Sequence, residues 1–237
     1  DSKAKNYKCK FFSSKSRTKE IITNNLVAYF DHFYECFIDC SIKHNIEGLY
    51  YTDEVKKYLG LTPNLASAMQ IIIVEELGIN PYSLYRAKVF SDGHGHEFIQ
   101  ITDDGSVRLR ALKPRARHVK TREAKGSLRT LSDFSEHEIN AATCLKMALE
   151  ITERARVSTG LNELWLCPTI NKVTHPTPDT FQNEFRNIKT KVSLKNKQIK
   201  SATLKKIRSS KGVLIYLKSN GDSLKAAHYF GNSVKTT

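Results

Sequence analysis

The chain has 237 residues, 40% of them hydrophobic, and its 38 lysines and arginines against 24 acids give a net charge of +14. That size can bury a substantial core in one large or two small domains, and the charge, with a sequence pI near 9.5, points to polyanions: nucleic acid ahead of acidic membrane surfaces. No apolar run nears the roughly 20 residues of a membrane span, and the basic, polar first twenty residues contain no signal-peptide block, so the expected setting is intracellular, in the cytoplasm.

Residues 1–23 form a lysine-rich lead-in with weak periodicity, and residues 24–237 are expected to form one domain. Leu26, Phe30, Phe33 and Phe37 then recur at the spacing of one helical face, with Cys36 and Cys40 sharing a face of the same helix. A second helix opens at Thr62-Pro63, threonine as cap and proline in the first turn, carries Leu65, Met69, Ile72 and Ile73, and stops at Gly78. Its second half is almost wholly apolar, which makes it central.

From Glu97 the pattern changes to strands. Phe98, Ile99 and Ile101 precede the turn Asp103-Asp104-Gly105, after which Val107, Leu109 and Ala111 alternate with Arg108 and Arg110, a hairpin with one apolar and one cationic face. A third strand is expected around His118 to Thr121. Ser135 and Glu138 have the spacing of a capping box opening a long helix through Ile139, Ala142, Leu145 and Leu149 and ending by Gly160.

Leu164 to Cys167 forms a short buried run. Thr177-Pro178 caps a helix bearing Phe181, Phe185 and Ile188; another carries Leu204, Ile207, Leu214 and Leu217 as far as Asn220-Gly221; a last short one runs from Ser223 to Gly231. With no internal repeat, the expected class is α+β, mainly α, with helices packed around a small antiparallel sheet.

The cations are concentrated. Arg108, Arg110, Lys113, Arg115, Arg117, Lys120, Arg122 and Lys125 stand with one acid, Glu123. Lys189, Lys191, Lys195, Lys197, Lys200, Lys205, Lys206, Arg208 and Lys211 follow Arg186, with no acid between Phe185 and Gly221. Ordinary solvated surfaces mix both signs, whereas two acid-free strips suit a phosphate backbone, whose neutralisation releases counterions. Neither strip adjoins an apolar, aromatic face suited to a bilayer, so double-stranded DNA is the expected partner and a membrane is not.

Common catalytic signatures are missing: no phosphate-binding loop of the GxxxxGK[ST] type, no GxGxxG after a strand, no HExxH and no GxSxG. Cys9, Cys36, Cys40, Cys144 and Cys167 are odd in number and lack zinc spacing, and they read as reduced packing residues. His94-Gly95-His96 lies in a glycine-rich turn without a nearby third ligand and reads as polar loop. Neither a metal nor another cofactor is expected.

The C-terminal stretch carries the specific pattern. Leu204-Lys205-Lys206-Ile207-Arg208-Ser209-Ser210 begins a helix, Asn220-Gly221-Asp222 ends it, and Leu224 to Thr237 follows as LKAAHYFGNSVKTT. This resembles the closing segment of the tyrosine recombinases, or phage integrases, in which H-x-x-R opens a helix, a G-D-like turn follows, and L-G-H-S-S-x-x-T-T shortly precedes the nucleophilic tyrosine. The resemblance spans about Leu65 to Thr237 and is most specific in its last thirty-odd residues.

It implies a catalytic set of Lys113, Lys205, Arg208, Asn232 and Asn80. Arg208 takes the place of the second catalytic arginine, Lys205 stands where histidine is usual, and Asn232 replaces a histidine or tryptophan. Leu112-Lys113-Pro114-Arg115-Ala116-Arg117 resembles the hairpin whose lysine is the general acid, a role falling to Lys113 with Arg115 as the other candidate. Gly78-Ile79-Asn80-Pro81-Tyr82-Ser83-Leu84 looks like the family's G-L-R-x-S-E-L, which puts Asn80 where the first arginine belongs, leaving Arg86 or Arg115 to supply the missing guanidinium.

The implied activity is site-specific recombination through a 3′-phosphotyrosyl intermediate, in a homotetramer on DNA, with the nucleophile expected beyond Thr237 and a core-binding domain upstream. Arg108, Arg110, Arg115, Arg117, Lys120, Lys200 and Lys206 are the expected DNA contacts. The alternative is a binding protein of the same fold, a repressor or accessory factor without the reaction, and a basic RNA-binding module is a third. The recombinase reading requires Lys113 and Arg208 to converge on one backbone phosphate.

Overall fold

The computed structural model describes residues 57–58, 60–90, 98–113, 118–126, 139–168 and 172–231, with backbone alone at 111–113 and 118–120. The expected aromatic helix around Phe30, the residues Ser135 and Glu138, the pair His94 and His96, and Arg115, Arg117 and Asn232 lie outside the described residues. Within them the protein is mostly helical with a small antiparallel sheet.

Helix α1 (Pro63–Leu77) is the central element. Thr62 Oγ accepts the amide of Leu65, Pro63 occupies the first turn, and Gly78 ends the helix in the left-handed region, where glycine carries no Cβ penalty. Ala66, Met69, Ile73, Val74 and Leu77 are buried, and the helix packs against the sheet and four other helices. Ile79 continues the core, and Asn80 with Pro81 starts the short helix α2 (Pro81–Tyr85).

Strands β1 (Ile99–Ile101), β2 (Val107–Lys113) and β3 (His118–Ala124) form one antiparallel sheet in sequence order. The Asp103-Asp104-Gly105 turn is built as expected. Asp104 accepts hydrogen bonds from Thr102 Oγ, the Ser106 amide and Ser106 Oγ, which together hold its carboxyl down at about 2. Val107 and Leu109 are fully buried while Arg108 and Arg110 are exposed, so the hairpin is two-faced as its alternation implies.

The long helix α3 (Ala141–Thr159) corrects the expected start at Ser135. Its cap is Asn140, which accepts the Thr143 amide, and Glu76 of α1 accepts the Ala141 amide at 2.7 Å. A carboxylate from another helix thus sets the boundary, and Ile139 lies before the helix, 46% exposed. The helix ends at Gly160, as expected.

Leu164 to Cys167 is wholly buried, with Trp165 Nε1 donating to the Leu84 carbonyl at 2.8 Å. Cys167 and Pro168 form strand β4 (Cys167–Pro168), paired with β5 (Val173–Thr174). Burial pushes the thiol of Cys144 up to about 12 and that of Cys167 higher still, consistent with packing residues.

Helix α4 (Pro178–Ser193) is capped by Thr177 and buries Phe181 against Trp165. A single 3-10 turn, Lys197–Ser201, leads to α5 (Leu204–Lys218) and then α6 (Ser223–Phe230). Gly212 of α5 faces α6 so closely that a Cβ there would collide with the Phe230 ring. Gly212→Ala is therefore expected to destabilise the fold by about 1–3 kcal/mol, although alanine is the better helix former by about 1 kcal/mol. Urea unfolding checks this, and adding Phe230→Leu should recover part of the loss.

Acid stability offers a second check. The Asp104 carboxylate is favoured in the folded hairpin, so its contribution is full above its unfolded value near 4 and disappears as pH falls towards 2. The stability gap between wild type and Asp104→Asn should be constant above about pH 5 and close across that interval.

Candidate nucleic-acid interface

Asp222 caps α6 by accepting the amides of Leu224 and Lys225, and Gly231 closes it in the left-handed region. The last carbonyls of such a helix have no intrahelical partners and carry partial negative charge. Two arginines take them up. Arg208 of α5 donates from Nε to the Gly78 carbonyl at 2.6 Å and from Nη2 to the Phe230 carbonyl at 2.9 Å, its guanidinium 5.0 Å from the Phe230 ring centre. Arg122 of β3 donates to the carbonyls of His228 at 3.0 Å and Tyr229 at 3.2 Å.

One clamp thereby joins the end of α1, the sheet, α5 and the end of α6. Tyr229, 8% exposed, reinforces it, its hydroxyl lying 2.8 Å from the Glu75 carbonyl and 3.2 Å from that of Val74. Gly78 is needed here twice over, because its positive φ would strain another residue and a Cβ would strike Tyr229.

Both guanidiniums are half-buried. Burial lowers the Arg208 value, and for Arg122 the nearby positive charge of Arg208 adds to the effect of burial. Neither meets a carboxylate among the described residues. Each has five N–H donors and spends two on carbonyls.

The other expected catalytic residues fall as follows. Lys205 is exposed in the first turn of α5, behind the cap Thr203. Lys113 pairs with His118 at the far end of β2, four residues from Leu109, the partner of Arg122. The register puts positions 113 and 122 on the same side of the sheet, roughly 13 Å apart along the strand. Asn80 is exposed, and its side-chain oxygen caps α2 by accepting the Tyr82 amide at 2.9 Å.

Arg86, expected as a substitute for the missing first arginine, instead donates to the Tyr82 hydroxyl at 3.0 Å and stacks on that ring. The guanidinium beside Arg208 is Arg122, which the sequence presents as one more member of a cationic run. Strand alternation sets it apart: Arg108 and Arg110 belong to the outer side of the sheet and Arg122 to the inner side.

Among the expected DNA contacts, Arg108 is exposed and shares Glu123 with Lys125, and Arg110 is exposed. Lys120 lies in β3 opposite Ala111. Lys200 and Lys206 are exposed on the 3-10 turn and the first turn of α5, with Lys195, Lys197 and Lys205 exposed nearby in sequence. Lys211 instead reaches Glu75 of α1, a surface pair of at most about 1 kcal/mol.

No helix among the described residues is long and apolar enough to cross a membrane, and no cluster of three metal-ligating side chains occurs among them. No protein-family model, curated protein or solved structure matches the chain.

The clamp makes its own prediction. Burial, with the Glu75 charge, pushes the Tyr229 hydroxyl up to about 12, against the smaller opposing pull of the two arginines. The protonated form is thus favoured on folding, and its contribution is full below pH 10 and lost as pH rises to about 12. Tyr229→Phe should cost about 1 kcal/mol at pH 7 through the lost hydrogen bond, and denaturation across pH should show that difference closing between 10 and 12.

Proposed function

We propose that the chain is a DNA-binding domain of the tyrosine recombinase type, in which Arg122 and Arg208 together receive a backbone phosphate. The observation that carries this reading is the pair itself: two guanidiniums whose basicity burial lowers, the charge of Arg208 lowering that of Arg122 further, with no carboxylate partner among the described residues. Carbonyl dipoles offset part of their charge, and a phosphodiester would offset the rest through charge-assisted hydrogen bonds.

Arg122 then supplies the second guanidinium that Asn80 cannot. When a tyrosine attacks the phosphodiester, charge builds on the nonbridging oxygens, and fixed guanidiniums stabilise that state more than the ground state. The deoxyribose oxygen leaves with a proton, for which Lys113 is the assigned donor, and the strand is held as a 3′-phosphotyrosyl ester. Lys205 contacts the same phosphate, and strand exchange would proceed in a homotetramer on DNA.

Arg108, Arg110, Lys200 and Lys206 bind flanking phosphates. The first turn of a helix disfavours cations by a few tenths of a kcal/mol, so Lys205 and Lys206 suit a polyanionic partner better than they suit α5. A second reading is a repressor or accessory factor that binds DNA without cutting it. Its support is Asn80, whose side chain is committed to capping α2.

Fluorescence anisotropy with duplex DNA tests the shared part. Affinity should fall steeply with salt, with a log–log slope of about −5 if about six phosphates are neutralised. Arg122→Ala and Arg208→Ala should each weaken binding roughly tenfold or more and reduce the slope by about 1. Wild-type binding by the double variant, with its fold intact by circular dichroism, would overturn the proposal. Incubating the full-length protein with nicked duplex then separates the two readings: a detergent-resistant covalent complex lost in Arg208→Ala marks the recombinase, and tight binding without it marks the accessory protein.

A further inference from the structure

A cavity of about 530 Å³ opens between α1, α2, α4 and the start of α5, and no side chain of the arginine clamp lines it. One wall is aromatic. Tyr85 is fixed there, its hydroxyl donating to the Pro176 carbonyl at 3.1 Å and its ring 4.6 Å from His175 and 5.5 Å from Phe181. Tyr82 and Phe185 extend this apolar surface.

Gln70, 3% exposed, also lines the cavity, and its buried amide nitrogen has no hydrogen-bond partner among the described residues. An unmade buried donor is costly, so a polar partner is called for at this point. Arg186 and Lys189 complete the lining, and no acid contributes to it. Phe181, Phe185 and Lys189 are spaced four apart on α4, so the aromatic and cationic ends lie along one helical edge about 12 Å long.

The lining thus combines a buried, unpartnered amide donor, apolar aromatic walls and two cations. We propose that it binds a nucleotide unit: a base between Tyr82, Tyr85 and Phe185, a ring acceptor on Gln70, and the phosphate at Arg186 and Lys189. Aromatic rings stack on any base, and a cationic end selects the phosphorylated form. The site does not depend on the recombinase reading. The unit could arrive as a free nucleotide or as an unpaired residue of a strand.

Calorimetry on the 237-residue chain, paired with the fluorescence of Trp165, whose ring lies 6.4 Å from Phe181, decides between these sources. The probes are AMP, GMP, CMP and UMP, their nucleosides, inorganic phosphate, and single-stranded tetranucleotides. Saturable binding of monophosphates marks a free-nucleotide site, and binding of tetranucleotides alone marks an unpaired residue; either supports the proposal. Nucleosides and phosphate should each bind at least about tenfold more weakly than the preferred probe.

Gln70→Leu should lose about tenfold. Phe185→Ala, which removes one of the stacking rings, should weaken binding about tenfold or more while leaving duplex affinity unchanged, so failure here is distinguishable from failure of the arginine clamp. The proposal is overturned if no probe saturates, if nucleosides match monophosphates, or if folded Gln70→Leu and Phe185→Ala bind as wild type.

Discussion

The described fold turns on Arg208. One side chain, emerging from the second turn of α5, satisfies the carbonyl that ends α1 and the carbonyl that ends α6, and its ring contact with Phe230 closes the gap between them. Arg122 performs the equivalent task from the sheet. Neutral donors could meet the same carbonyls, so the choice of two cations side by side costs the fold electrostatic repulsion in a half-buried place. That cost is the physical ground for assigning the pair an anionic partner.

Much of the architecture was legible because its signals are local. Thr62-Pro63, Thr177-Pro178, Gly78, Gly160 and Asn220-Gly221 bound helices by chemistry confined to four or five residues. The Asp-Asp-Gly turn and its flanking alternation located the hairpin and its two faces for the same reason. Where a boundary depends on another part of the chain, local pattern misled: a well-spaced Ser135 and Glu138 mark a helix start, but the start lies at Ala141, where Glu76 supplies the acceptor.

The candidate site was legible only in part. Arg208 stood out through the resemblance of Lys205-Lys206-Ile207-Arg208, with the turn at Asn220-Gly221 after it, to the closing segment of the recombinases. Arg122 did not, because its difference from Arg108 and Arg110 is one of sheet side, and only the register against Leu109 and the approach of α6 reveal it. The 3-10 turn at Lys197–Ser201 and the cavity around Gln70 are tertiary products, the latter assembled from four separate segments. Charge composition pointed to a polyanion as a class of partner, but it could not distinguish cations that hold helices together from those left open to solvent.

The acceptor that Glu76 offers to the Ala141 amide has a bearing on the order in which the chain organises. The two residues are 65 positions apart, so the first turn of α3 acquires its full set of partners only once α1 is seated beside it. An excised peptide spanning α3 would retain Asn140 yet fray at its beginning, and the two helices should appear together during refolding rather than one after the other.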